Sequence, residues 1–195
     1  MVFIDEQRLH LGAEAEVWRG SWMGQSAIRK QRRDRSWRHP DLDDRLGRRR
    51  MIAEARLLVR LYRSGLNVPL LLDCDMFDQQ LVMSHIQGKP LIEMLNDDSI
   101  SDDDVMDMLR NTGQTIRLLH RQAVVHGDLS TNNIIITPEN EAVLIDFGLA
   151  RIEYETELFA FKCHYRNKTY TEARLSNSHC MDRACWNVTS VFSCL

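Results

Sequence analysis

Apolar and polar positions along the chain follow two periods. Around Arg8–Gly20 and across Ser26–Lys30 the alternation is close to every second residue, which predicts strands around a glycine-containing turn. From Leu42 to Ser64 the spacing becomes helical, with apolar residues at 46, 51, 55, 58, 59 and 62 and Gly65 at the stop position. Val68–Asp73 and Gln80–His85 read as two further short strands. A second helix is predicted over Asp103–Arg121, N-capped by Ser101 or Asp102, with Val105, Leu109, Thr112, Ile116 and Leu119 on one face. Ile134–Thr137 and Ala142–Ile145 then form a hairpin around Pro138-Glu139-Asn140. Strands first and helices afterwards is an α+β order.

A length of 195 residues allows one domain or two small lobes. Hydrophobic residues at 44% and charged residues at 27% are globular values, which excludes disordered, collagen-like and low-complexity classes. No apolar run approaches the roughly 18 residues of a membrane span. The start, Met1-Val2-Phe3-Ile4-Asp5-Glu6, has neither a basic n-region nor an apolar h-region, so the expectation is an intracellular chain without membrane contact.

The net charge of −3 hides a local asymmetry. Arg29 to Arg50 holds ten basic and four acidic residues, whereas Glu93 to Asp107 holds seven acids and no base. Solvated helix faces and a functional basic patch are the two readings of the first stretch. Of five cysteines, Cys74 stands alone and Cys163, Cys180, Cys185 and Cys194 fall in the last 33 residues. An odd number without Cys-x-x-Cys argues against a disulfide framework. Cys163, His164, His179, Cys180 and Cys185 are a zinc candidate, but their spacing matches no usual ligand pattern.

The strongest chemical signal is His126-Gly127-Asp128-Leu129-Ser130-Thr131-Asn132-Asn133, followed by Ile145-Asp146-Phe147-Gly148. Phosphoryl transfer from a nucleotide needs a carboxylate to position the attacking oxygen and oxygen ligands for Mg²⁺. Asp128, with Asn133 five residues on and Asp146 eighteen residues on, supplies that set. Ala27-Ile28-Arg29-Lys30 places Lys30 on a strand as a contact to the α/β-phosphates, and Glu54 on the following helix as its partner. Leu11-Gly12-Ala13-Glu14-Ala15-Glu16-Val17 occupies the place of a phosphate loop, with Leu11, Gly12, Ala13, Glu14, Ala15 and Val17 as ATP-binding candidates. It keeps one glycine, and so fewer permissive backbone positions. Met83 stands either behind an adenine pocket or in plain core, with backbone groups of Ser84 and Ile86 facing the purine edge in the first case.

These residues resemble the small, atypical protein kinase/ATPase family of the KEOPS (EKC) complex, the PRPK family, related to the RIO kinases. The resemblance is carried by Gly12-Ala13-Glu14-Ala15, Lys30, Ser36-Trp37-Arg38-His39-Pro40-Asp41-Leu42-Asp43, Arg45-Leu46, Arg48-Arg49-Arg50, Glu54-Ala55-Arg56 and His126-Gly127-Asp128-Leu129-Ser130-Thr131. It covers about residues 8 to 152, and the Trp-Arg-His-Pro segment is specific to this family. The resemblance implies a bilobal protein-kinase-like fold, with a small antiparallel β N-lobe and a reduced, mainly helical C-lobe. It implies ATP and Mg²⁺ as cofactors, and Ser/Thr kinase or ATPase activity in a complex that forms threonylcarbamoyladenosine in tRNA. The partners implied are the KEOPS catalytic subunit, the other complex subunits and protein substrates, in cytoplasm and nucleus. Arg32, Arg33, Arg35, Arg38 and Arg48 to Arg50 become candidates for contact with a tRNA backbone or a partner subunit.

Departures from the family pattern matter as well. Gly127 stands where kinases usually carry the Arg that senses a phosphorylated activation loop. Small-molecule phosphotransferases share that glycine, but often carry Trp at the place of Phe147. The expected division is 1–88 as N-lobe, 89–152 as C-lobe with the catalytic and metal-binding loops, and 153–195 as a divergent tail. The tail lacks the family's acidic segment and following helix, and reads as a lineage-specific replacement or an alternative exon. A non-catalytic nucleotide-binding scaffold, or a small-molecule phosphotransferase, is therefore the alternative function.

Overall fold

The computed structural model describes residues 3–12, 15–33, 37–153, 159–165 and 168–174. The chain divides into two units, Met1–Ile86 and Gln87–Leu195. In the first, five strands form one antiparallel sheet: β1 (Ile4–Leu11), β2 (Ala15–Trp22), β3 (Gln25–Arg32), β4 (Leu71–Asp75) and β5 (Gln80–Ser84), in the order β1-β2-β3-β5-β4. The expected strand over Arg8–Gly20 is two strands, broken at Gly12, whose N–H donates to Ala15 O at 2.9 Å. A period-two pattern reads straight through so short a reversal.

A long helix, α1 (Pro40–Arg63), covers one face of this sheet. Pro40 sits in its first turn, where no intrahelical N–H is needed, and Gly65 follows its end with φ +79°. Met51 and Ala55 pack with Leu81 and Met83, while Phe3, Trp22, Ala27 and Val82 form a second apolar cluster. Adjacent residues of β5 thus serve opposite clusters, which is why Leu81, Val82 and Met83 are all buried. The buried face of α1 runs through Asp43, Gly47, Met51, Glu54, Ala55, Leu57, Leu58 and Leu61, leaving Tyr62 exposed. The apolar spacing alone had put Tyr62 on the inside; the packed stripe includes three polar or small positions that hydrophobicity cannot signal.

The second unit carries α2 (Leu91–Leu95), α3 (Asp102–Arg121) and a three-stranded sheet of β6 (Lys89–Pro90), β8 (Ile134–Ile136) and β9 (Ala142–Leu144), in the order β6-β8-β9. Before and after the β8–β9 hairpin in sequence, β7 (Val124–Val125) and β10 (Arg151–Ile152) pair with each other. A second pair, β11 (Phe159–Tyr165) and β12 (Lys168–Arg174), follows. Ser101 caps α3, its Oγ accepting from Asp104 N at 3.2 Å. Val105, Met108, Thr112, Ile116 and Leu119 are the buried stripe of α3, with Met108 taking the place expected for Leu109. Ile134, Ile136, Val143 and Leu144 of the hairpin are buried as well.

Among the described residues no helix is long and apolar enough to cross a membrane. The described residues hold no group of three or more His, Cys, Asp or Glu suited to a metal. Of the zinc candidates, His179, Cys180 and Cys185 lie outside the described residues.

Candidate functional site

In the first unit the sheet and α1 bring Lys30 and Glu54 together. Lys30 lies on β3 opposite Val17 of β2 and Leu81 of β5, so the central strands fix its position. Its Nζ donates to Glu54 Oε1 at 2.8 Å and to Oε2 at 3.2 Å. Glu54 is 6% exposed, and a buried carboxylate of this kind is stable only with its cation in place. The pair expected from the sequence is therefore formed within one unit.

The turn between β1 and β2 is partly described. Leu11 ends β1 and is exposed, Ala15 and Val17 belong to β2, and Ala13 and Glu14 lie outside the described residues. Arg33 donates to Gly12 O at 3.1 Å and so ties the turn to the end of β3. At the other end of the sheet, Met83 is buried against Met51 and Ala55 and is part of the core. The Ser84 amide donates to Leu70 O at 2.8 Å, and the Ser84 hydroxyl accepts from Leu70 N at 2.9 Å. That amide is spent within the unit. Ile86, half-buried, closes it. Next to it, burial, aided by the positive charge of Arg19, lowers the His85 imidazole and keeps it neutral at pH 7.

The second unit presents the other candidates on two adjoining loops. Asn133 Nδ2 donates to Asp128 O at 2.8 Å and to Asp128 Oδ2 at 3.3 Å. Since the amide is planar, this turns Asn133 Oδ1 to the opposite side, as an oxygen donor. The Asn133 carbonyl accepts from Ile145 N at 3.0 Å, which continues the β8–β9 ladder by one step and sets Asn133 beside the residue preceding Asp146. Asp146 itself is exposed and holds φ +62°, a left-handed conformation uncommon for a residue with a side chain. Gly148 N donates to Asp146 Oδ1 at 3.3 Å. Exposed carboxylate and amide oxygens are the donor chemistry that suits a hard divalent cation such as Mg²⁺.

Two residues of the motif that were not counted among the site candidates hold these loops in place. His126 is buried, its Nε2 lies 3.0 Å from Ile145 O, and its ring meets that of Phe147 at a tilt of 47°, 4.8 Å between centroids. Gly127 has φ +82°, and a Cβ there would fall well inside van der Waals contact of Leu149 O. An arginine at this position is therefore barred by the backbone as well as by the packing. The β7–β10 pair, extended by Glu153 N donating to Ala123 O at 2.8 Å, joins the chain just before the first loop to the chain just after the second. The motif His-Gly-Asp contained the signal for His126 and Gly127, but their roles come from contacts nineteen or more residues away.

The family model that matches this chain is described as the RIO domain and covers residues 24–162. A mouse (Mus musculus) protein named EKC/KEOPS complex subunit Tp53rkb is 37% identical over 71% of this chain and 60% of its own length. The KEOPS complex subunit Bud32 of Pyrococcus abyssi is 33% identical over 78% of this chain and 71% of its own. A probable bifunctional tRNA threonylcarbamoyladenosine biosynthesis protein of Methanothermobacter thermautotrophicus is 36% identical over 75% of this chain and 26% of its own. The chain thus spans 60% of the mouse relative and about a quarter of the bifunctional one.

Proposed function

The chain belongs to the RIO-domain family, in the group of KEOPS atypical kinases that includes Bud32, and from that premise we propose that it is an ATP- and Mg²⁺-dependent Ser/Thr kinase or ATPase. It would serve as a subunit of a KEOPS complex in tRNA threonylcarbamoyladenosine formation, beside the complex's catalytic subunit, in cytoplasm and nucleus. The observation that carries this reading is the Asp128–Asn133 pair set beside Asp146 by the Ile145–Asn133 backbone bond.

In this reading Asp128 accepts a hydrogen bond from the attacking water or hydroxyl and orients its lone pair toward the γ-phosphorus. Asn133 Oδ1 and the Asp146 carboxylate would hold Mg²⁺, which would offset charge on the phosphates. Lys30 donates to the α/β-phosphates, and Glu54 keeps its ammonium from swinging away. His126, through its tilted contact with the Phe147 ring and its approach to Ile145 O, braces the residues on either side of the left-handed Asp146. Gly127, standing where an arginine would read a phosphorylated loop, makes the arrangement independent of such a switch.

The reading is tested by γ-phosphate release from ATP by this chain together with KEOPS partners. Asp128→Ala and Asp146→Ala should each lower the rate roughly 10²-fold or more, the usual size of acid–base and charge-stabilising contributions. ATP·Mg²⁺ at about 100 times its dissociation constant should stabilise the chain by about 2.7 kcal/mol. A thermal shift without turnover would identify the scaffold alternative, and unchanged rates in both variants would overturn the assignment.

A further inference from the structure

The basic stretch after Lys30 has a second, internal use. Arg32 Nη2 donates to Asp43 Oδ1 at 2.8 Å and to Asp43 O at 3.3 Å, and Arg38 Nη1 donates to the same Oδ1 at 3.2 Å. Asp43 is 3% exposed, and the side chains of Arg32 and Arg38 are 11% and 16% exposed. A second layer backs this cluster. Asp44 accepts from Arg48 Nε at 2.9 Å and from Gln79 Nε2 at 2.8 Å, and Arg48 Nη1 reaches Met76 O at 2.6 Å. Where these groups press on α1 the helix has Gly47; a Cβ there would overlap Arg32 Nε and Gln79 Oε1.

The placement of these residues follows from two periodicities. Lys30 and Arg32 are two apart on β3 and so lie on one face of the sheet. Asp43 and Glu54 are eleven apart on α1, three turns along one helix face, about 16 Å between them at 1.5 Å per residue. Strand and helix are therefore joined twice by long basic side chains, Lys30 to Glu54 and Arg32 to Asp43. A single ion pair leaves a helix free to slide and swivel about it. Two pairs three turns apart fix its rotation and its axial position together.

We propose that the Arg32–Asp43–Arg38 cluster is a positioning device that sets α1 so that Glu54 meets Lys30 without any outside partner. It rests on the nucleotide reading given above, and adds three residues that act through Glu54 and Lys30 rather than on the phosphates. Because a buried carboxylate shared by two guanidiniums resists rearrangement, the helix is held in its productive place.

The test compares Asp43→Asn, Glu54→Gln and the double variant in the whole chain of 195 residues, each checked for folding by circular dichroism at the assay temperature. Asp43→Asn should lower kcat/KM for ATP roughly tenfold, as expected for a small misplacement of a catalytic group. In the Glu54→Gln background the same change should add less than twofold, because its effect passes through Glu54. Arg32→Lys, which keeps the charge and loses the fork, should fall between. A second readout needs no turnover: with ¹³C-dimethylated lysines, assigned through Lys30→Arg, the Lys30 resonance should move in Asp43→Asn toward its position in Glu54→Gln. If the parent chain hydrolyses no ATP, the nucleotide reading fails and the Lys30 resonance still decides the positioning role. Multiplying losses in the double variant, or a Lys30 resonance that Asp43→Asn leaves in place, would overturn it.

Discussion

At the scale of single residues, the site depends on groups whose surroundings leave them one workable state. Glu54 is buried with Lys30 as its partner, so removing the cation costs more than removing the pair. Lys30→Ala should destabilise the chain by about 3 kcal/mol, the usual penalty for an uncompensated buried charge. Lys30→Met with Glu54→Leu should recover most of that loss in urea denaturation while remaining inactive. Gly127 poses the opposite constraint, since its conformation excludes side chains. Gly127→Arg should cost roughly 1–3 kcal/mol from the left-handed backbone and the clash with Leu149 O. It should also reduce Mg²⁺-dependent nucleotide binding, because Leu149 follows directly on the Asp146-Phe147-Gly148 loop. Binding as tight as in the parent would show that this loop does not rely on the close approach.

Among the elements, α3 combines a defined start with a largely buried histidine in its last turn. Ser101 caps it, and Ser101→Ala should cost about 1 kcal/mol in thermal or urea unfolding. At its last turn, burial lowers the His120 imidazole to about 4. The folded state therefore binds the His120 proton less readily than the unfolded chain does, whose value is near 6.5. Stability from this residue is complete above pH 6.5 and is lost as pH falls toward 4, by an amount on the order of 3 kcal/mol. His120→Gln should flatten the unfolding free energy over that range, and an unchanged slope would assign the acid sensitivity elsewhere. The elements also show what the sequence made legible. Both long helices announced themselves by period, the β8–β9 hairpin by apolar runs on either side of Pro138-Glu139-Asn140, and Asp128, Asn133 and Asp146 by the separations expected of a phosphoryl-transfer set. Elements of two to five residues, such as α2 and the β7–β10 pair, are too short for a period to register. Arg32, Arg38 and Asp43 were hidden for another reason. Charged residues in a charged stretch read as solvated, and only the packing of α1 on β3 reveals that Asp43 is buried and that Arg32 and Arg38 are largely withdrawn from solvent onto it.

For the whole molecule, that burial changes the meaning of the charge asymmetry. A net charge of −3 gives no general attraction to a polyanion, so contact with a tRNA backbone would depend on the local excess between Arg29 and Arg50. The structure spends part of that excess internally: Arg32 and Arg38 are held on Asp43, and Arg48 on Asp44 and Met76 O. Arg35 lies outside the described residues, while Arg45, Arg49 and Arg50 are exposed on α1. The surface available to phosphates is thus narrower than the count of ten basic residues implies. If this face meets RNA, Arg45→Ser with Arg49→Ser should weaken tRNA binding uniformly across sequences. Their loss should flatten the dependence of log K on log salt by roughly 1.4–1.8, two phosphate contacts at about 0.7–0.9 each. Arg48→Ser, by contrast, should lower thermal stability and leave the salt slope as it was. The reverse outcome, with Arg48 setting the slope and the exposed pair inert, would move the RNA contact off the outer face of α1. Equal slopes in all three would assign the exposed arginines to a protein partner, whose binding the same variants would then weaken.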